Sequence, residues 1–337
     1  MNLESGKTGA VPSDAEIQVE WDAFLAEVPD PAPMSQEQLA EIRESVAAAV
    51  AAIDDLGPGG RFIVSEHSVP GQNGAPEVPL PVCTPAGVPA SRPAPYYAHG
   101  GGFFCNDHRL DLNQLLETAE RFGATLVSVG YRLAPEHRYP AQIEDAYAGL
   151  LWVADHADDL GIDPEGIVVT GNSAGGGLGA ALALTVRDKG GPRLLGQLLM
   201  YPMPDDRNNS PSALQMDGVD FRDRGFNGFG WRALLGAAQG GPDVPAYAAP
   251  ARATDLSGLP PAFLDAGSAE CLRDEVLAHA DRIWHAGGRA GLHVRAGGIH
   301  AFDREVPEAR ISQDAIEARH RRLERLPADA SGSQGPD

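Results

Sequence analysis

The chain has 337 residues, 43% of them hydrophobic, enough to bury a core as about two typical domains or as one large α/β domain with insertions. Its 26 Lys and Arg against 47 Asp and Glu give a formal charge of −21, which argues against nucleic acid or an anionic membrane as a partner, since both need clustered cations. Three cysteines without a C-x-x-C pair indicate neither a disulfide framework nor a zinc ribbon. The N-terminus lacks the basic-then-apolar order of a secretory signal, and no apolar run approaches the roughly 20 residues of a spanning helix. The expected location is therefore cytoplasmic.

Residues 1–12 and the tail from Pro327 are small, polar and rich in Gly, Pro and Ser, and read as disordered ends. Two helices come first. Ile17, Trp21, Phe24 and Leu25 share one face of the first. In the second, Ser35 is the expected N-cap and Gln38 its capping-box partner, followed by a stripe of Leu39, Ile42, Val46, Val50 and Ile53 that ends at Gly57. Short β-rich runs then appear at Arg61–His67, Glu77–Thr84, Ala94–Ala98, Thr125–Gly130, Ile167–Thr170, Gln197–Tyr201, Pro261–Asp265 and Leu292–Arg295. From the third onward they alternate with helical stretches at Leu112–Phe122, Gln142–His156, Gly175–Asp188, Arg273–Ala286 and Ala309–Leu326. That alternation predicts an α/β fold, a mostly parallel sheet of eight strands with helices on both faces and an antiparallel start. Pro204–Pro250 interrupts it without a strand.

The fifth run leads directly into Gly171-Asn172-Ser173-Ala174-Gly175 and then a helix. This is G-x-S-x-G in the setting its chemistry needs, a strand, a sharp turn and a helix. The turn exposes the Ser173 hydroxyl at the strand end, and the Ala174 N–H points from the helix N-terminus toward a developing oxyanion. The competing reading is a dinucleotide turn, because Gly171-x-Ser173-x-x-Gly176 imitates G-x-G-x-x-G. It requires an acid about 20 residues on at the next strand end, and Asp205 and Asp206 lie too far away. Upstream, the third run ends in His99-Gly100-Gly101-Gly102-Phe103, whose backbone N–H groups are unhindered donors for the same oxyanion.

The general base should follow the last strand, where His300 stands on a loop; His293 lies within the strand itself. No histidine has a metal-ligand spacing, so neither a metal nor a cofactor is expected. The acid should follow the seventh run. Asp265 falls inside the strand and Asp274 in the first turn of the next helix, which leaves Glu270 in the loop as the expected partner of His300 and Asp274 as the alternative.

Together, HGGGF, YRLAPEHRYPA (Tyr131–Ala141), GNSAGG and GGIHAFD resemble the hormone-sensitive-lipase-like branch of the α/β-hydrolase esterases, in the expected order from about residue 60 to 325. The resemblance implies an α/β-hydrolase fold with a helical cap. On this division, residues 1–58 supply N-terminal cap helices, 59–204 and 250–326 form the catalytic core, 205–249 are a cap insert, and 327–337 are a tail. It also implies Ser173 as nucleophile, His300 as base, and Gly101, Gly102 and Ala174 as oxyanion donors. Three positions depart from the family pattern: Asn172 replaces an aspartate beside the nucleophile, Glu270 replaces an aspartate as the acid, and Ala301 replaces a glycine. The Tyr131–Ala141 stretch reads as structural, with Pro135 and Pro140 shaping a turn and Asp145 opening the helix that follows.

The expected activity is serine-dependent hydrolysis of small or medium acyl esters or lactones through an acyl-enzyme. Phe103, Met216, Phe221, Phe226, Phe229 and Trp231 are the candidate lining of the substrate pocket. An N- or O-deacetylase on the same residues is the alternative, and a non-catalytic receptor would lack the working base present here. The expected partners are a small-molecule ester and, in assembly, a second copy of the chain. Of the acids, this chemistry needs only Glu270, and the others read as solvated surface.

Overall fold

A computed structural model describes residues 9–27, 36–50, 56, 58–219 and 222–331. Helices α1 (Ala15–Glu27) and α2 (Gln36–Ala49) come first, then strands β1 (Phe62–Val69), β2 (Val78–Pro85) and β3 (Arg92–Ala98). There follow α3 (Leu112–Arg121), β4 (Leu126–Val129), α4 (Ala141–Asp155), α5 (Ala157–Leu160), β5 (Ile162–Asn172), α6 (Ala174–Lys189) and β6 (Gly196–Met200). Two helices, α7 (Pro211–Gln215) and α8 (Arg224–Leu235), occupy the interruption before β7 (Ala262–Gly267). The chain closes with α9 (Arg273–His285), β8 (Ala290–Arg295), α10 (Phe302–Glu305) and α11 (Arg310–Ser331).

The eight strands form one sheet in the order β1-β2-β4-β3-β5-β6-β7-β8. Only the β1–β2 and β2–β4 pairs are antiparallel; the rest are parallel. All eight expected runs are strands. Central strands are covered on both faces, so β6 and β7 are buried along their whole length, Gln197 and Asp265 included. β8 lies at the edge and is half exposed, with Val294 turned to solvent.

Several expectations need correction. Residues 9–12 are ordered, because Val11 packs on the main core and the Gly9 carbonyl accepts from Gln215. α11 runs past Pro327 to Ser331, so no tail begins at Pro327; the alanines beyond it favour helix, and 332–337 lie outside the described residues. Asp145 does not open α4, which starts at Ala141; its fully buried carboxylate takes the Arg132 guanidinium at 2.8 Å and the Arg132 N–H at 2.9 Å, pinning the Tyr131–Ala141 turn. Ser35, Ile53 and Gly57, and the side chains of Phe24 and Leu25, lie outside the described residues.

The acids are not all solvated either. Asp206 pairs with Arg252 at 2.7 Å, and Arg319 bridges Asp265 and Asp303; the three carboxylates and Arg319 are buried and Arg252 is partly so. Paired burial is the form in which a carboxylate is tolerated inside. On α9, Glu275 and His279 stand one turn apart and buried, and neither His279 nitrogen has a hydrogen-bond partner. Burial, helped by the Arg282 charge, pushes the His279 pKa down to about 4. A group that folds neutral and protonates readily when unfolded contributes stability above about pH 6.5, and that contribution is lost as pH falls toward 4. Replacing His279→Leu should therefore shrink the loss of unfolding free energy between pH 8 and pH 5 by about 2 kcal/mol, read from urea titrations at the two pH values.

Candidate active site

The site begins at the end of β5. Ser173 adopts φ 53°, ψ −121°, a conformation that L-residues rarely occupy and that only surrounding packing maintains. That packing depends on the flanking glycines. A Cβ on Gly175 would lie 2.0 Å from the Ala98 carbonyl oxygen at the end of β3, and one on Gly171 would lie 2.4 Å from the Gly175 carbonyl. Main-chain bonds from Ser173 N–H to Met200 (2.9 Å) and from Met203 N–H to Ser173 (3.0 Å) clamp the turn against β6.

Ser173 Oγ lies 2.9 Å from His300 Nε2, and His300 Nδ1 lies 2.5 Å from Glu270 Oε2. The second oxygen of Glu270 accepts the Gly267 N–H at 2.7 Å. Glu270 and His300 are both buried, 30 residues apart in sequence but joined across the C-terminal ends of β7 and β8. Burial pushes the Glu270 carboxyl above its ordinary range, while His300 and the Gly267 N–H pull it back. The ring of Tyr201 meets His300 edge-on at 5.0 Å and limits its tilt. Asp274 makes no such contact. It takes the Ser212 N–H at 2.8 Å and pairs with Arg273, clamping α9 to α7.

The segment after β3 approaches the same point. His99 is buried and stacks on Tyr131 with centroids 4.2 Å apart, while the Tyr131 hydroxyl donates to the His99 carbonyl at 2.7 Å. Burial pushes the His99 pKa down to about 4, so its neutral Nδ1–H donates to the Gly100 carbonyl at 2.8 Å. Gly101 and Gly102 follow and line the cavity beside Ser173. Among the described residues, no protein acceptor takes the N–H groups of Gly101, Gly102 or Ala174. Ala174 is the first residue of α6, so its N–H carries the positive end of the helix dipole. The arrangement combines a hydroxyl, a base, a buried carboxylate and unpaired amides, the set that nucleophilic acyl chemistry requires.

These groups open into a cavity of about 340 Å³. Of the five expected lining residues that are described, Phe226 is the one that borders it. Phe103, with φ 67°, turns into the core against Trp231 (5.6 Å), and Trp231 and Met216 are likewise core residues. Phe229 packs edge-on against Phe104 at 4.9 Å, and Phe221 lies outside the described residues. Trp231 stands five positions after Phe226 on α8, so the two aim at different neighbours. The apolar wall comes instead from Ile42, Val46 and Ala49 of α2, with Leu110, Met203 and Leu272. Arg43 holds α2 in place by donating to the carbonyls of Phe104 (2.8 Å) and Ala134 (2.7 Å) and pairing with Glu136. The helical stripe announced a buried face of α2 but not what that face covers.

The chain has known relatives. Residues 96–304 match the family described as alpha/beta hydrolase fold. The chain is 37% identical to the carboxylesterase NlhH of Mycobacterium tuberculosis over 271 residues, 78% of this chain and 82% of that protein. It is 36% identical to the esterase LipI of the same organism, over 69% of this chain and 72% of that one. Among solved structures, a bacterial heroin esterase superposes with a TM-score of 0.83 at 33% identity, covering 93% of this chain and 98% of its own.

A fluorophosphonate probe followed by intact mass should attach once per chain and fail on Ser173→Ala. Glu270→Gln should slow the labelling by about 100-fold or more, whereas Asp274→Asn should stay within about threefold of wild type.

Proposed function

The chain belongs to the α/β-hydrolase family and is a carboxylic ester hydrolase, and within that activity we propose that Ser173 is the nucleophile, His300 the general acid–base and Glu270 the carboxylate that orients it. The observation that carries this reading is the unbroken line of contacts from Ser173 through His300 to Glu270 at one wall of the cavity.

In the acylation step the Ser173 oxygen bonds to the ester carbonyl carbon while its proton passes to His300 Nε2. Glu270, accepting from Nδ1–H, stabilises the imidazolium. The carbonyl oxygen gathers negative charge, which the N–H groups of Gly101, Gly102 and Ala174 receive. Collapse breaks the bond to the alcohol oxygen, which leaves with the proton from His300. In deacylation His300 takes a proton from water, the hydroxide oxygen adds to the acyl carbon, and Ser173 departs with that proton as the carboxylic acid is released. Besides the ester and one water molecule, each step uses groups of this chain.

The substrates proposed are small or medium acyl esters. A cavity of about 340 Å³ with an α2 wall supports this size class. We assign α1, α2 and the 205–249 insert to a cap over the core. Its support is the Arg222 side chain, which bonds Glu305 beside the site and lies 5.9 Å from the Trp21 ring. A cytoplasmic homodimer completes the proposal, supported by three buried cysteines that form no disulfide among the described residues and by the edge strand β8 with its exposed Val294. No described helix is long and apolar enough to cross a membrane.

Hydrolysis of p-nitrophenyl acetate, butyrate and octanoate tests the reading. Ser173→Ala should abolish turnover of all three. Val46→Trp, which fills the α2 side of the cavity, should cut octanoate turnover by about tenfold and leave acetate within about threefold. A matching p-nitroanilide separates ester from amide cleavage, and the ester should react faster.

A further inference from the structure

A second cavity, of about 300 Å³, lies beside the first and shares Asn172, Tyr201 and Arg304 as a common wall. Within that wall is a buried polar network that the acyl chemistry does not use directly. Asp111 accepts the Tyr97 hydroxyl at 2.8 Å with one oxygen and pairs with Arg304 at 2.9 Å with the other. The same Tyr97 hydroxyl lies 3.0 Å from Asn172 Oδ1. Asp111, Asn172 and Tyr97 are all buried.

These residues come from each catalytic segment. Asp111 ends the segment that carries Gly101 and Gly102, Asn172 precedes the nucleophile, and Arg304 follows His300 by one turn of chain. Tyr97 near the end of β3 touches the first two.

A phenol has one proton, and here two oxygens face it. The carboxylate of Asp111 can only accept, so the Tyr97 proton points to it. Asn172, whose Oδ1 faces the hydroxyl in the structure, can instead present its amide nitrogen and donate to the Tyr97 oxygen, a flip that leaves its shape unchanged. An amide satisfies both contacts; a second carboxylate at 172 leaves two acceptors for one proton in a buried site. We propose that Asp111 is a positioning residue for the hydrolysis, the single carboxylate that holds the three catalytic segments in register through Tyr97 and Arg304, and that residue 172 is an asparagine because Asp111 already takes the Tyr97 proton.

This rests on the assignment of Ser173, so the experiment reads that separately. Variants Asn172→Asp, Asp111→Asn and the double exchange are assayed with p-nitrophenyl butyrate, kcat being expressed per serine titrated by the fluorophosphonate so that misfolded chains do not count. Asn172→Asp should lose about 30-fold in kcat at pH 8 with KM within about threefold. Its deficit relative to wild type should shrink by about fivefold or more at pH 6, because protonating one of the two carboxylates restores a donor. The other charged or titratable groups around this point (Arg304, Tyr201, His99 and Tyr131) are common to both proteins, so their effects cancel in the ratio. The double exchange, with one amide and one carboxylate again facing Tyr97, should exceed the product of the two single effects by about tenfold. A pH-independent deficit together with additive single effects would overturn the proposal. Activity surviving in Ser173→Ala would instead overturn the nucleophile assignment.

Discussion

One strained turn governs this molecule. Ser173 sits in a backbone conformation that costs on the order of 1–3 kcal/mol, and the chain adopts it only because β5, α6 and the end of β3 leave no alternative path. The absence of a Cβ at Gly171 and Gly175 lets the Ala98 carbonyl press against the elbow. The same close approach brings Gly101 and Gly102 alongside the serine hydroxyl. Strain at Ser173 and the approach of the Gly101–Gly102 segment are thus one packing event.

The remaining charges follow from burial. The sheet covers its central strands so fully that any carboxylate near the site must be paired or hydrogen-bonded. Glu270 meets that demand with His300 and the Gly267 N–H, Asp145 with Arg132, and Asp265 and Asp303 with Arg319. Glu270 is longer than an aspartate by one methylene, and the loop after β7 accommodates it while keeping a 2.5 Å contact. A glutamate therefore reaches His300 where the resemblance implied a shorter acid. The net charge of −21 still lies largely on the surface.

The cavity has a different origin. Its catalytic wall is made by loops at the C-terminal ends of parallel strands, where such sheets place their ligand sites. Its apolar wall is made by a helix near the N-terminus that Arg43 ties to the carbonyls of Phe104 and Ala134. Ser173 and His300 thus belong to the first wall and much of the apolar surface to the second.

The eight strands and their mostly parallel pairing were legible in the sequence, and so was the meeting of Ser173, His300 and Glu270, because each depends on local rules. Apolar runs of strand length, a G-x-S-x-G between strand and helix, and loops after the last two strands report themselves in consecutive residues. The choice of Glu270 over Asp274 followed from the same logic, since a residue in the first turn of a helix has its neighbours chosen already. The pocket lining was not legible. Phe103, Met216, Phe229 and Trp231 are apolar in the right segments, yet apolarity alone does not separate a residue that faces a cavity from one that fills the core. Nor could sequence show that Tyr97, Asp111, Asn172 and Arg304 meet, because their contacts span up to 193 residues and exist only once β3, β5 and the His300 loop are side by side. What the chain determined by itself was the set of groups that meet at the cavity, Ser173, His300 and Glu270. Which side chains surround them was decided by tertiary packing, because direction in space depends on neighbours far along the chain.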